Sequence, residues 1–360
     1  MQRRAFLASS GLLLAGCATT RGPVSLAAAP TACLPRVLLD ERRIIRTVAG
    51  LRPFRDAGFV VRRDALGDTA LVHNYGHGGG GITLSWGSAH LACNLGLPGH
   101  AGSVAVLGAG VMGLSTARLA QERGFAATIY TEHLPPETTS NIAGGQIAPA
   151  SVYSDGFQSD AWMAQFAEAM AYSWRRFQLL VGEDYGVRWV PTYEGGNGPA
   201  SDFMAPYMPG LEDVTGPANP FGDRRVRRYH TMYVETGRYL RQLMEDFLEA
   251  GGRFVVRRFG SLEEVAALPE RVIFNCTGLG ARDLVGDEEM VAKRGQLAIL
   301  LPQQEIDYAY TLGAAYMFPR PDGILLGGTF ERDEWDPVAT PQGIATIMRR
   351  NRALQPAACS

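Results

Sequence analysis

Three glycines, at 108, 110 and 113, constrain this chain more than any other feature, because their neighbours supply the context that such a spacing needs. Residues 103–107 form a short β-rich run, Gly108-Ala109-Gly110-Val111-Met112-Gly113 follow, and an amphipathic helix is predicted to about Arg123. In that setting Gly108 permits a tight turn, Gly110 lets the backbone approach a pyrophosphate, and Gly113 lets the helix pack on its strand. The helix N-terminus then faces the phosphate charge. A second β-run, 127–130, leads to Thr131 and Glu132. An acid there is placed to bind a ribose diol and disfavours a 2′-phosphate, which leaves FAD or NAD as the dinucleotide.

The chain has 360 residues, more than one ordinary domain of about 100–200, so two lobes are expected. With 46% hydrophobic and 19% charged residues it reads as globular, and a net charge of −2 gives no bulk field for nucleic acid or acidic lipid. The one basic cluster, Arg224, Arg225, Arg227 and Arg228, is explained by a solvated loop or by neighbouring acids. Glycine is abundant, 43 residues, without a collagen period; close backbone approaches around a ligand account for that.

The beginning of the chain reads as an address. Arg3 and Arg4 precede an apolar stretch, 5–14, which ends in Leu14-Ala15-Gly16-Cys17. Too short to span a bilayer, this is a signal peptide over 1–16 with a lipobox, Cys17 being the lipidated residue. The arginine pair also resembles a twin-arginine signal, which exports folded proteins. Residues 17–35, rich in Ala, Thr, Pro and Ser, read as a tether. The expected location is the cell envelope, as a periplasmic lipoprotein held to a membrane by lipid only, and Ala18 in place of Asp points to the outer membrane.

Four stretches resemble the D-amino-acid oxidase family. Leu51-Arg52-Pro53-Phe54-Arg55, followed by His73-Asn74-Tyr75-Gly76-His77-Gly78-Gly79-Gly80-Gly81-Ile82-Thr83, is similar to that family's signature. Thr138-Thr139-Ser140-Asn141-Ile142-Ala143-Gly144-Gly145-Gln146 resembles its flavin-lining loop, and Val272-Ile273-Phe274-Asn275-Cys276-Thr277-Gly278 its second cofactor strand and turn. Arg294-Gly295-Gln296, Tyr316-Met317-Phe318-Pro319 and Gly327-Gly328 resemble the segment over the substrate. The resemblance favours FAD as cofactor. It implies an α/β chain: a Rossmann-like FAD-binding domain (66–150 plus 229–293) and a mixed-sheet substrate domain (36–65, 151–228 and 294–360), both discontinuous.

The order of the motifs departs from the family. There the arginine and histidine–glycine signatures close the chain, whereas here they precede the dinucleotide strand, so the order resembles a circular permutation. A helix predicted over 340–352 and a helix-like run over 38–46 would be neighbours in the unpermuted order. The old ends must then lie together, which places Cys33 near Cys359, and a disulfide between them is expected outside the cytosol. Cys276, in an apolar strand, reads as a buried inert thiol.

What the resemblance implies for chemistry is oxidative deamination of a D-amino acid, with oxygen as acceptor. Arg52 is the substrate-carboxylate arginine, and its planar guanidinium suits that task. Tyr316 assists it. The family's second tyrosine would fall at position 312, which is leucine here, and Tyr310 is the nearby substitute. The carbonyl of Gly79 would accept from the substrate amine, while Gly78, Gly80, Gly81, Ile82 and Thr83 form a backbone wall against the flavin at the start of a helix predicted over 83–95. A helix N-terminus there stabilises an anionic reduced flavin. No residue is assigned as acid or base. His73 and His77, four apart, lack a third ligand at metal spacing and read as structural, and no metal is expected. The alternatives are a membrane-tethered dehydrogenase passing electrons to quinone, a catalytically silent envelope-binding lipoprotein, and an NAD-dependent dehydrogenase.

Overall fold

The computed structural model describes residues 33–196 and 203–358. The signal peptide, Cys17, most of the tether and Cys359 lie outside the described residues. Two sheets organise the chain. The first has six strands in the order Val60–Leu66, Thr69–Tyr75, Val272–Asn275, Val104–Leu107, Ala127–Thr131 and Arg253–Val256. All pairs are parallel except the first, a hairpin. Val104–Leu107 is buried at every position, as a central strand covered on both faces requires. The helix Val111–Glu122 follows it directly, so the three glycines stand at the carboxyl end of the sheet, beside the crossover to Val272–Asn275, where open α/β sheets bind ligands.

A second helix, Gly81–Gly96, is buried along most of its length. Gly87 is the reason it fits. A Cβ there would collide with the backbone of Ala169 on the helix Asp160–Leu179, which crosses it closely. Trp86 Nε1 donates to the hydroxyl of Tyr239 at 2.6 Å and ties the same helix to Thr236–Glu249.

The other sheet has nine strands. Ile44–Phe54 pairs with Val291–Leu300, and Gly323–Gly327, Ala315–Arg320, Ala309–Leu312, Val187–Gly195, Val226–Val234 and Glu212–Val214 follow in that order. Glu331–Arg332 adds to Val291–Leu300 off this path. Ala309–Leu312 runs parallel to Val187–Gly195 and the other pairs are antiparallel, so the sheet is mixed. The helix Pro341–Arg352, capped by Thr340, seats Ile347 and Met348 in the core behind it.

Three expectations are corrected. Residues 38–46 are not a helix: one 3-10 turn, Glu41–Arg43, precedes the strand Ile44–Phe54, whose β-branched start pairs with Leu300 and its neighbours. The strand Val60–Leu66 belongs to the nucleotide-side sheet, because the two-residue turn Gly67-Asp68, with Gly67 at φ +58°, commits it to its successor. Val226–Val234 sits in the nine-stranded sheet, while Asp160–Leu179 packs into the nucleotide-side core, so the expected boundaries at 66, 151 and 229 each cut an element from its lobe.

The two ends of the described chain run side by side. Leu34 N donates to Ala357 O at 3.3 Å, Arg36 Nε to Pro356 O at 2.9 Å, and Val37 N to Gln355 Oε1 at 3.1 Å. Cys33 is disulfide-bonded, whereas Cys93 and Cys276 are free and buried. Among the described residues no helix is long and apolar enough to cross a membrane.

Candidate active site

A cavity of about 580 Å³ opens between the carboxyl ends of the six-stranded sheet and one face of the nine-stranded sheet. At one end it is lined by Gly108, Ala109, Gly110, Val111 and Met112, with Thr131, Glu132, Thr277 and Gly278 beside them. Gly108 adopts φ +100°, and a Cβ on it would lie 2.6 Å from Cys276 O. Only glycine fits that turn. Gly113 is one layer back: a Cβ there would strike Gly108 O, so it lets the helix close on the strand and does not line the cavity. Ala109 N donates to Thr131 Oγ1 at 3.2 Å and Val111 N to Ser140 Oγ at 3.0 Å, which fixes the loop. Glu132 reaches this end, where Arg258 faces it at 3.5 Å. Bare backbone, helix amides and an acid together suit the pyrophosphate and ribose of a dinucleotide.

The middle of the cavity is a glycine wall. His77, Gly78, Gly79, Gly81 and Ile82 line it, the last two opening the buried helix Gly81–Gly96. From Thr69 to Gly80 every residue is buried except Gly79. Its amide donates to Ser151 O at 2.9 Å, and a Cβ on it would come within 2.6 Å of Ala150 O. Ser151 itself takes φ +53°, uncommon for a residue with a side chain, and shows how closely the two segments are pressed together. Gly80 and Thr83 stand behind the lining. Thr83 Oγ1 donates to Ala148 O at 3.0 Å and accepts from Ala148 N at 3.1 Å, so its role is to hold the opposite segment. That segment, with Thr138, Thr139, Gly144, Gly145 and Gln146, forms the facing wall.

Arg52 marks the far end. It lies on Ile44–Phe54, and its guanidinium rests over Gly295 of the next strand, in space that any Cβ at 295 would take. Its Nη1 is buried with no hydrogen-bond partner among the described residues. A buried, unpaired guanidinium nitrogen is a costly feature unless a ligand anion completes it. Tyr316 adjoins it; burial pushes the phenol pKa up against the opposing effect of Arg52, so the hydroxyl stays protonated and able to donate. Gly327 gives Tyr316 its place, since a Cβ there would overlap the ring.

Tyr310 is not brought to the site. It is fully buried and donates to Asn351 Oδ1 at 2.8 Å, in the core beneath the helix Pro341–Arg352. Leu312 packs in that same core. His73 bridges Asp64 and Asn275, and His77 bonds Ser88 Oγ at 2.6 Å while stacking on Phe59, so both tie strands and helices together. Burial drives the His77 imidazole down to about 3 and keeps it neutral. Burial also raises the Cys276 thiol to about 12. Several lining residues were assigned no role by pattern reading, among them Leu297, Phe318 and Phe330. Phe318 stands inside the Tyr316 stretch, while Leu297 and Phe330 lie just past quoted stretches.

The fold and the glycine cradle define a dinucleotide-binding α/β protein. A family model described as FAD dependent oxidoreductase matches residues 24–95 and 103–359. A D-amino-acid oxidase of Streptomyces coelicolor is 33% identical over 272 residues, 71% of this chain and 78% of that protein. A D-aspartate oxidase of Homo sapiens is 27% identical over 266 residues, 70% of this chain and 76% of its own. Among solved structures, glycine oxidase from Bacillus cereus aligns with a TM-score of 0.52 at 14% identity, over 71% of this chain and 78% of the other. The FAD-bound L-α-glycerophosphate oxidase of Mycoplasma pneumoniae aligns with the same score and identity, over 70% and 78%. This chain belongs to the FAD-dependent oxidoreductase family, and its cofactor is FAD.

Proposed function

We propose that the protein oxidatively deaminates D-amino acids to 2-oxo acids. The observation that carries this reading is the Arg52 guanidinium, backed by Tyr316 and lacking a partner for Nη1, in the same cavity as the exposed backbone of Gly79. Arg52 and Tyr316 hold the substrate carboxylate, and the Gly79 carbonyl accepts a hydrogen bond from the amine. With two of its α-substituents fixed, the α-hydrogen of one enantiomer is turned toward the glycine wall. Positioning of this kind supplies much of the rate in hydride transfer. FAD held along the Gly108–Met112 turn and the glycine wall would supply the acceptor for the α-carbon hydride and the two electrons that reduce oxygen to hydrogen peroxide. The imino acid left behind takes up water and releases ammonia. The similarity to curated D-amino-acid oxidases supports the same reading.

Two further parts of the reading concern the whole chain. The Arg3-Arg4 start and the lipobox at Cys17 support an exported, lipid-anchored protein. A circularly permuted order is supported by the adjacent ends and by the family match in two pieces. Turnover in air tests the reaction: a D-amino acid should yield peroxide, 2-oxo acid and ammonia in equal amounts. Substrate oxidation that needs an added quinone and forms no peroxide would replace oxygen with a membrane acceptor.

A further inference from the structure

We propose that Asp56 is a positioning residue that sets the span between the carboxylate anchor Arg52 and the amine acceptor Gly79; the inference rests on the amino-acid oxidase reading above. The two groups come from different elements, Arg52 from the strand Ile44–Phe54 and Gly79 from the glycine wall that follows Thr69–Tyr75. A substrate held at both ends reacts well only if their separation is fixed.

Residues 150–154 form a strap against the wall. Gly79 N donates to Ser151 O at 2.9 Å, and Val152 is buried where a Cβ on Gly80 would come within 2.5 Å of it. Ser151, at φ +53°, sits in a conformation that its side chain disfavours, so the strap has to be held from beyond it. Asp56 supplies the hold. Its carboxylate accepts from Ser154 Oγ at 2.6 Å, and its main-chain carbonyl accepts from Ser154 N and from Gln158 Nε2, both at 3.0 Å. Arg332 completes the node, donating from Nη1 to Oδ1 at 3.1 Å and from Nη2 to Oδ2 at 2.7 Å. Guanidinium and hydroxyl hold the Asp56 carboxyl below its usual range, so it stays an ionised acceptor. Across the sheet Lys293 stands opposite both Arg332 and Arg52, which puts the three in one row on three neighbouring strands.

The side chain of Asp56 therefore ties one end of the strap to the row that carries Arg52, while the other end grips Gly79. Loss of that tie frees the amine acceptor. Arg52 keeps its own seat over Gly295, so the carboxylate anchor should be spared.

The test uses the FAD-loaded enzyme with Asp56→Ala, Asp56→Asn, Ser154→Ala and the double variant Asp56→Ala with Ser154→Ala. Two probes separate the ends of the substrate: D-alanine engages both, whereas propionate, the same acid without its amine, engages Arg52 only. In Asp56→Ala the anaerobic rate of flavin reduction by D-alanine should fall about tenfold, with the Kd of propionate, read from the flavin spectrum, within about twofold of the parent. Asp56→Asn keeps an acceptor for Ser154 and should recover part of the rate. Ser154→Ala should show the same selective loss, and the double variant should be no slower than Asp56→Ala, as two residues acting through one bond require. Should Asp56→Ala lose its flavin, Ser154→Ala reports the same two quantities. Parent-like reduction rates, losses that add in the double variant, or a propionate Kd that weakens in step with the rate would overturn the positioning role of Asp56. A parent enzyme whose flavin no D-amino acid reduces would instead overturn the reaction itself.

Discussion

Arg52 depends on an absence. Its guanidinium occupies the space above Gly295, and a methyl group there would displace it. Gly327 does the same for Tyr316. The sequence displayed both glycines inside recognisable stretches, yet what they make room for became clear only once the strands were paired. A half-buried guanidinium with a buried Nη1, proposed to grip a carboxylate through two parallel bonds, is expensive to truncate, on the order of 2–5 kcal/mol. Arg52→Ala should therefore lower kcat/KM for a D-amino acid by roughly 30- to 5000-fold, with FAD retained at full stoichiometry. Steady-state kinetics beside a flavin count check this. Arg52→Lys should recover only part of the loss, because an ammonium lacks the planar fork. An alanine variant with parent kinetics would remove Arg52 from the substrate.

The elements that could be read from sequence were those with a chemical signature. The strand, glycine turn and helix around Gly108 stand within one or two residues of expectation, and so do Gly81–Gly96 and Pro341–Arg352. Elements held by distant partners were illegible. Ile44–Phe54 became a strand because Val291–Leu300 lies alongside it, more than two hundred residues away in sequence, and its short polar lead-in had suggested a helix. Tyr310 fails for the same reason. Strand alternation decides whether a side chain meets the cavity or the core, and that register is set by Ala315–Arg320 and Val187–Gly195 together. The terminal segments carry their own prediction. Cys33 is disulfide-bonded, the free cysteines are Cys93 and Cys276 among the described residues, and Cys17 is the proposed lipid site, so we propose Cys359 as the partner. Such a bridge closes nearly the entire chain, for a nominal stabilisation on the order of 4–5 kcal/mol. Peptide mapping without reductant should recover a Cys33–Cys359 cross-linked peptide; Cys359 recovered as a free thiol would refute it.

At the scale of the molecule, the cavity is a seam between the two sheets. The nucleotide-side sheet brings the glycine turns to one side of it, and the nine-stranded sheet brings Arg52, Tyr316 and Phe318 to the other. Neither sheet alone lines the whole cavity. The circular permutation we propose is compatible with such a seam, because what matters is which strand ends face it and not their order along the chain. In the proposed reaction the seam would also fix handedness, because a carboxylate anchored at Arg52 and an amine held at Gly79 would leave a single face of the α-carbon toward the glycine wall. The most direct measurement is anaerobic titration of the FAD-loaded protein with both enantiomers of a neutral amino acid, followed by flavin absorbance. The account predicts that the D-enantiomer bleaches the oxidised band and the L-enantiomer leaves it unchanged; bleaching by the L-enantiomer, or by neither, would contradict it.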